Sequence, residues 1–199
     1  MNRIITIGRQ FGSGGRELGR RLSEELGVAY YDQEIIKEIA KRTSMSEQYI
    51  QQIIEHKPII SFPIHTGSSF YPVANPMLEQ ECNVFAEQRN IIREMAEKSD
   101  CVIVGRCADY ILKDMDPFRI FVYADMESRI DRCRRKAPED ENLTEKELKK
   151  KILSVDKNRA RYYEYYTDQK WGDIMNYDLC INTSTAEIKR IVPIVAKMF

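Results

Sequence analysis

The stretch Ile4-Ile5-Thr6-Ile7-Gly8-Arg9-Gln10-Phe11-Gly12-Ser13-Gly14-Gly15-Arg16-Glu17-Leu18 decides the fold. An apolar run stops at Gly8. Three glycines then fall in four residues, at 12, 14 and 15, around Ser13. Leu18, Leu22 and Leu26 follow at a spacing of four, which predicts a helix from about residue 16. Strand, glycine loop and helix in direct succession form the layout of a phosphate-binding loop. Loop amides and the helix N-terminus point at one spot and attract an anion there. A tight turn that needs glycine for backbone reasons accounts for one or two of these glycines, less well for all three. Arg9 at the strand end and Arg16 at the helix start bring forked donors within reach of a phosphate. For either arginine alone, a surface salt bridge is the plain alternative.

Working outward, Val28-Ala29-Tyr30-Tyr31 reads as a short second strand, and Asp32 as the cap of a helix carrying Ile35, Ile36, Ile39 and Ala40. Ser46 caps another helix. Prolines at 58, 63, 72 and 76 interrupt residues 56–77, a loop too long to be a plain connector. Its Phe62, Phe70 and Tyr71 are candidates for a ligand or for a contact with a second copy of the chain, a homodimer. A long helix is expected over 78–98, then strands at 101–105, 118–123 and 178–182, with a basic helix at 126–136 between them. Thr144 with Glu147, and Ser184 with Glu187, have the spacing of capping boxes that open two further helices. Unbroken apolar strands alternating with helices predict a parallel sheet covered on both faces, with ligands at the C-terminal strand ends.

Composition narrows the class. Among 199 residues, 31 are basic and 31 acidic, so no net charge draws the chain to nucleic acid or an anionic membrane. The apolar runs are far too short to span a bilayer. Met-Asn-Arg leads straight into a strand, so no signal or transit peptide is expected. Five cysteines without a Cys-x-x-Cys pair, and only two histidines, argue against a disulfide framework, a zinc site or a histidine triad. Cys101 and Cys180 read as buried thiols. The expected setting is a reducing cytoplasm, and the expected organisation one domain.

Besides the loop, three places carry chemistry. Gly105-Arg106 follows a buried strand and aims an arginine into the crevice, for an anion or for a structural ion pair. Arg159 and Arg161 lie beside tyrosines at 162, 163, 165 and 166. Arginines on a helical lid suit phosphoryl transfer, in which charge spreads over the transferring oxygens. Asp32 is either a substrate contact or general base, or the plain cap of its helix.

With these residues placed, the chain resembles the cytidylate kinase-like branch of the P-loop nucleoside monophosphate kinases. The opening motif, Tyr-Tyr-Asp-Gln-Glu at 30–34, Val-Ile-Val-Gly-Arg-Cys-Ala-Asp-Tyr-Ile-Leu at 102–112, Asn-Arg-Ala-Arg-Tyr-Tyr at 158–163 and Tyr-Asp-Leu-Cys-Ile-Asn-Thr-Ser at 177–184 carry the likeness. The resemblance implies a three-layer α/β sandwich on a five-stranded parallel sheet. Its core would be 1–31, 99–136 and 174–199, with an acceptor-binding insertion at about 32–98 and a lid at about 137–173. It implies transfer of the γ-phosphate of ATP, with Mg²⁺, to a nucleoside monophosphate, CMP or dCMP. Gly12, Ser13, Gly14, Gly15 and Arg16 would cradle ATP, Arg106 would hold the acceptor phosphate, and Arg159 and Arg161 would close over the transferring group. Where a true cytidylate kinase has Lys-Ser-Thr after the last loop glycine, this chain has Gly15-Arg16-Glu17. Arg16 would then replace the lysine's charge, and Glu17 would be the hard oxygen ligand for Mg²⁺. Cys107 stands where the family's Gly-Arg-Asp segment has its aspartate. The alternatives are a phosphate-binding protein without transfer, and a kinase for another small acceptor.

Overall fold

A computed structural model describes residues 2–55, 76–137 and 143–199. In chain order the elements are β1 (Ile4–Arg9), α1 (Gly15–Leu26), β2 (Ala29–Tyr31), α2 (Gln33–Thr43), α3 (Glu47–Glu55), α4 (Pro76–Lys98), β3 (Cys101–Val104), α5 (Ala108–Ile111), β4 (Phe118–Tyr123), α6 (Met126–Lys136), α7 (Glu145–Thr167), β5 (Leu179–Asn182) and α8 (Ile188–Ala196). Most of the expected loop at 56–77, with Phe62, Phe70 and Tyr71, lies outside the described residues, as does the expected turn at 138–142. Pro76 already opens α4.

The five strands are all parallel, in the order β2-β3-β1-β4-β5. β1 is central, with β3 on one side and β4 on the other. Its side chains alternate between layers. Ile4 joins Cys101 and Ile103 in a core with residues of α2, α4, α5 and α7, while Ile5 and Ile7 join Val102 and Val104 in a core with α1 and α8. Both sheet faces are therefore covered, which explains why β1 and β3 read as unbroken apolar runs. The result is the three-layer α/β sandwich.

Local signals decide several boundaries. Gly27 ends α1 in the left-handed conformation that glycine adopts without strain. Thr144 and Glu147 make both bonds of a capping box at the start of α7. The second expected box does not form. Glu187 occupies the cap position of α8 without a side-chain bond. Ser184 is committed elsewhere, because its Oγ accepts from the Asp125 N–H at 2.8 Å and donates to Asn182 Oδ1 at 2.7 Å. Cys101 is buried as expected, but Cys180 is only half-buried because β5 is an edge strand. The tyrosine cluster is mostly packing: Tyr162 and Tyr163 are buried, and Tyr166 stacks on Phe85 with ring centroids 3.8 Å apart.

Candidate functional site

β1 delivers the chain into a loop whose carbonyls at Phe11, Gly12 and Ser13 are gripped from outside. Buried Arg129 of α6 donates its Nε–H to the Phe11 carbonyl at 2.7 Å. Arg132 donates to the Gly12 carbonyl at 2.9 Å and, with its other nitrogen, to Thr183 O. The Thr183 hydroxyl donates to Ser13 O at 2.6 Å. Gln10 O accepts from Ser13, through both its N–H and its hydroxyl. With its carbonyls turned toward the protein, the loop keeps its shape around the left-handed residues Gly12 and Gly14. The first-turn amides of α1, which have no intrahelical acceptor, open onto the cleft above. Asp156 of α7 ties down the other end: Oδ1 accepts the Phe11 N–H at 2.7 Å, and Oδ2 pairs with Arg129.

Over this loop lies a cleft of about 850 Å³. Among the described residues, seven cationic side chains line it, those of Arg9, Arg16, Arg132, Arg134, Lys136, Lys151 and Arg159, against one carboxylate, Glu17. Phe11, Leu143, Leu148 and Val155 supply an apolar wall. Such a cleft fits a polyphosphate carrying an apolar or aromatic group.

A smaller cavity of about 60 Å³ adjoins it at the end of β3, lined by Gly105, Arg106, Cys107, Asp109 and the rings of Tyr162, Tyr163, Trp171 and Tyr177. Arg9 and Arg159 line both spaces and so stand at their boundary. Arg106 is held there by unusual backbone. Gly105, Arg106 and Cys107 are left-handed in succession, with φ of 73°, 62° and 55°. For the two non-glycine residues this is strain of about 1–3 kcal/mol each. Gln88, fully buried on α4, steadies the turn by donating to the Arg106 carbonyl at 3.0 Å. Burial pushes the Cys107 thiol well above its ordinary value. It also raises the Asp109 carboxyl, partly offset by the Tyr163 hydroxyl that donates to it at 2.7 Å.

Asp32 sits at the N-terminus of α2 but makes no capping bond. Its carboxylate, 2% exposed, pairs instead with Arg16 at 2.5 Å and with Arg9 at 3.7 Å. Four arginines, at 9, 16, 106 and 159, thus gather around buried Asp32, with Asp156 3.9 Å from Arg159 and Asp109 in the lining of the smaller cavity. Burial lowers the Arg9 pKa well below its ordinary value; the Arg159 charge lowers it further, Asp32 opposes, and Arg106 and Arg16 add to the lowering.

The sequence candidates divide accordingly. Arg9, Gly12, Gly14, Gly15, Arg16 and Glu17 all line the larger cleft. Ser13 is buried beneath it, with its hydroxyl spent on Gln10 O. Arg106 lines the smaller cavity. Arg159 joins them and donates to Arg9 O at 3.2 Å. Arg161 lines neither space, since two residues along a helix turn a side chain to the opposite flank. Glu17 accepts from Arg21 at 3.1 Å and Lys136 at 3.0 Å. Burial raises its pKa, but those two hydrogen bonds outweigh it and hold the carboxyl below its ordinary value. Glu17 is committed to Arg21 and Lys136, and Asp32 Oδ2 to Arg16, while buried Asp32 Oδ1 has no hydrogen-bond partner; among the described residues no group of three or more His, Cys, Asp or Glu is placed to hold a metal ion. The donor set fits a polyanion, and a Mg²⁺ ion there would be held by the substrate phosphates and water rather than by a protein cage.

Sequence reading missed Arg129, Arg132, Asp156, Thr183 and Gln88. The i, i+3 spacing of Arg129 and Arg132 on a basic helix was the available signal; the others carry none.

A family model described as the cytidylate kinase-like family matches residues 4–185. A cytidylate kinase from Methanopyrus kandleri is 25% identical over 191 residues, covering 91% of this chain and 84% of its own. Among solved structures, an uncharacterized protein from Eubacterium ventriosum superposes with a TM-score of 0.70 at 27% identity, covering 98% of this chain and 97% of that one. A shikimate kinase from Bacteroides thetaiotaomicron shares the fold, with a TM-score of 0.59 at 16% identity over 100% of this chain and 98% of its own.

Proposed function

We infer that this chain, which belongs to the cytidylate kinase-like family, transfers the γ-phosphoryl group of ATP to a nucleoside monophosphate, with CMP or dCMP as the acceptor. One observation carries the reading: Arg9, Arg16, Arg106 and Arg159 converge where the two cavities meet, with buried Asp32 among them. A cluster of like charges with sheltered members such as Arg9 is relieved by a multiply charged anion. The cytidylate kinase named in the related archaeal sequence supports the choice of acceptor.

In this reading the β1–α1 loop amides and the larger cleft hold the triphosphate, and Arg106 orients the acceptor phosphate. An acceptor oxygen bonds to the γ-phosphorus as the bond to the β–γ bridging oxygen breaks, and the electron pair leaves with ADP. Arg9, Arg159 and Arg16 stabilise the charge that shifts during this exchange. Arg161 takes no direct part. Glu17 is committed to Arg21 and Lys136, so no step is assigned to a metal ion it would hold. The segment 32–98 supplies the acceptor side and α7 the lid side. None of the five cysteines is in a disulfide, which suits a reducing cytoplasm, and among the described residues no helix is long and apolar enough to cross a membrane.

A coupled ADP-release assay over the common nucleoside monophosphates tests the reading. Turnover is expected with ATP and Mg²⁺, highest on CMP or dCMP. Folded protein that turns over none of them overturns it. The specific observation favouring binding without transfer is Gly15 in place of lysine. Tight ATP binding with no transfer to any acceptor would select that alternative, and turnover confined to a non-nucleotide metabolite would select a different kinase.

A further inference from the structure

We propose that Arg9 replaces the loop lysine this chain lacks, supplying from the strand the cation that position 15 does not. The inference deepens the phosphoryl-transfer reading and rests on it. Gly15 stands at the lysine position, and that position is already closed. A Cβ built on Gly15 would lie 2.5 Å from Arg9 Cβ and 3.0 Å from Arg9 Cγ. The stem of Arg9 therefore fills the space where a side chain at 15 would begin. Its far end lies against Gly105, where a Cβ would come within 1.6 Å of Nη1. One side chain thus explains glycine at two distant positions, one on each of the two site loops.

Arg16, the other candidate for this role, is placed differently. Its side chain is 59% exposed, and its guanidinium is held by Asp32 at 2.5 Å. Arg9 is 12% exposed, its contact to the same carboxylate is a long 3.7 Å, and it lines both cavities. The length of that contact is beyond hydrogen-bond range, so the pair does not lock the guanidinium onto Asp32. A sheltered cation acts on charge at short range with far less screening than an exposed one. Arg9 is therefore placed to stabilise the electron density that gathers on the β–γ bridging oxygen as its bond to phosphorus breaks.

Calorimetric titration with tripolyphosphate and with the non-hydrolysable β,γ-imido analogue of ATP tests this, with thermal melting as the check on folding. Arg9→Met is expected to weaken both probes by about 10- to 100-fold, the range for a hydrogen bond to a charged group, and Arg16→Met by less. The decisive variant is reciprocal. Arg9→Gly removes the stem that closes position 15, so Arg9→Gly combined with Gly15→Lys is expected to bind at least tenfold tighter than Arg9→Gly alone. That rescue is a result that a merely structural role for Arg9 would not produce, and it decides the matter even where Arg9→Met does not fold. Arg9→Met binding within twofold of the unaltered protein, or no rescue in the double variant, overturns the proposal while leaving the transfer reading intact. Failure of the unaltered protein to bind either probe overturns both.

Discussion

The loop after β1 is held by side chains from several elements, whereas the loop after β3 is strained and is steadied by one buried glutamine and by the Gly105 N–H bonded to Ile7 O of β1. The first has Gly12 and Gly14 in left-handed positions and has Arg129, Arg132, Thr183 and Asp156 around it. The second puts Arg106 and Cys107 into the left-handed region without glycine's freedom, with Gln88 bonded to its carbonyl. The difference separates two ways of making a rigid anion site. External clamps spread the fixing over α6, α7 and the end of β5, so one loss is felt across the molecule. A few bonds at one turn concentrate it, so a loss there moves Arg106 and little else.

The sharpest way to break this contrast is Asp156→Ala. It strips the partner from buried Arg129 and the acceptor from the Phe11 N–H. A loss of about 3–5 kcal/mol is expected in urea unfolding, since a buried charge is left uncompensated; a loss under about 1 kcal/mol would show that the clamps are redundant. Gln88→Leu comes next. It leaves the Arg106 carbonyl and the Tyr162 hydroxyl, which donates to Gln88 at 3.4 Å, without their partner. About 2 kcal/mol is expected, with the affinity for acceptor falling and the affinity for ATP unchanged; equal loss of both would merge the two loops into one unit. Gly105→Ala adds a Cβ at φ 73°, a strain of about 1–2 kcal/mol. Because that Cβ meets Arg9, tripolyphosphate affinity measured by calorimetry should fall by more than the stability change alone predicts.

The smallest effect is electrostatic. Glu17 is held below its ordinary value of 4.5 by Lys136 and Arg21 against the opposing effect of burial. A depressed folded value means its contribution is present above pH 4.5 and is lost as pH falls through the folded value. Lys136 is mostly exposed, so the contribution is under about 1 kcal/mol. Acid unfolding of Glu17→Gln should therefore lack that slope below pH 4.5, while melting at pH 7 drops only slightly. An unchanged acid profile would show that the Glu17 pairs are fully screened.

The apolar strands, the glycine loop and the capping box at Thr144 were legible because each is written in neighbouring residues. Arg9, Arg16, Arg106 and Arg159 were legible as candidates because strand ends and lid helices are where cations face a crevice. The grip on the loop was not. Thr183 and Asp156 reach it from far along the chain, and nothing local distinguishes a threonine that holds Ser13 O from one on any strand end. Asp32 looked like a helix cap because its position is that of a cap, and only the tertiary approach of Arg16 and Arg9 redirects it. Ser184 failed as a capping box for the same reason, with the Asp125 amide as the stronger claimant. The left-handed turn at Cys107 has no sequence signature, since cysteine there gives no hint of positive φ.

The central position of β1 also fixes the order in which this molecule comes apart. Its backbone is hydrogen-bonded to β3 and β4 along both edges, while β2 and β5 each have a free side. Partial opening thus begins at the rims of the sheet, and exchange of β1 amide protons with solvent waits for the whole domain to unfold. The glycine loop is the direct continuation of that last-to-open strand, so fraying at β2 leaves its clamps in place, whereas fraying at β5 releases Thr183 from Ser13 O and loosens the phosphate cradle.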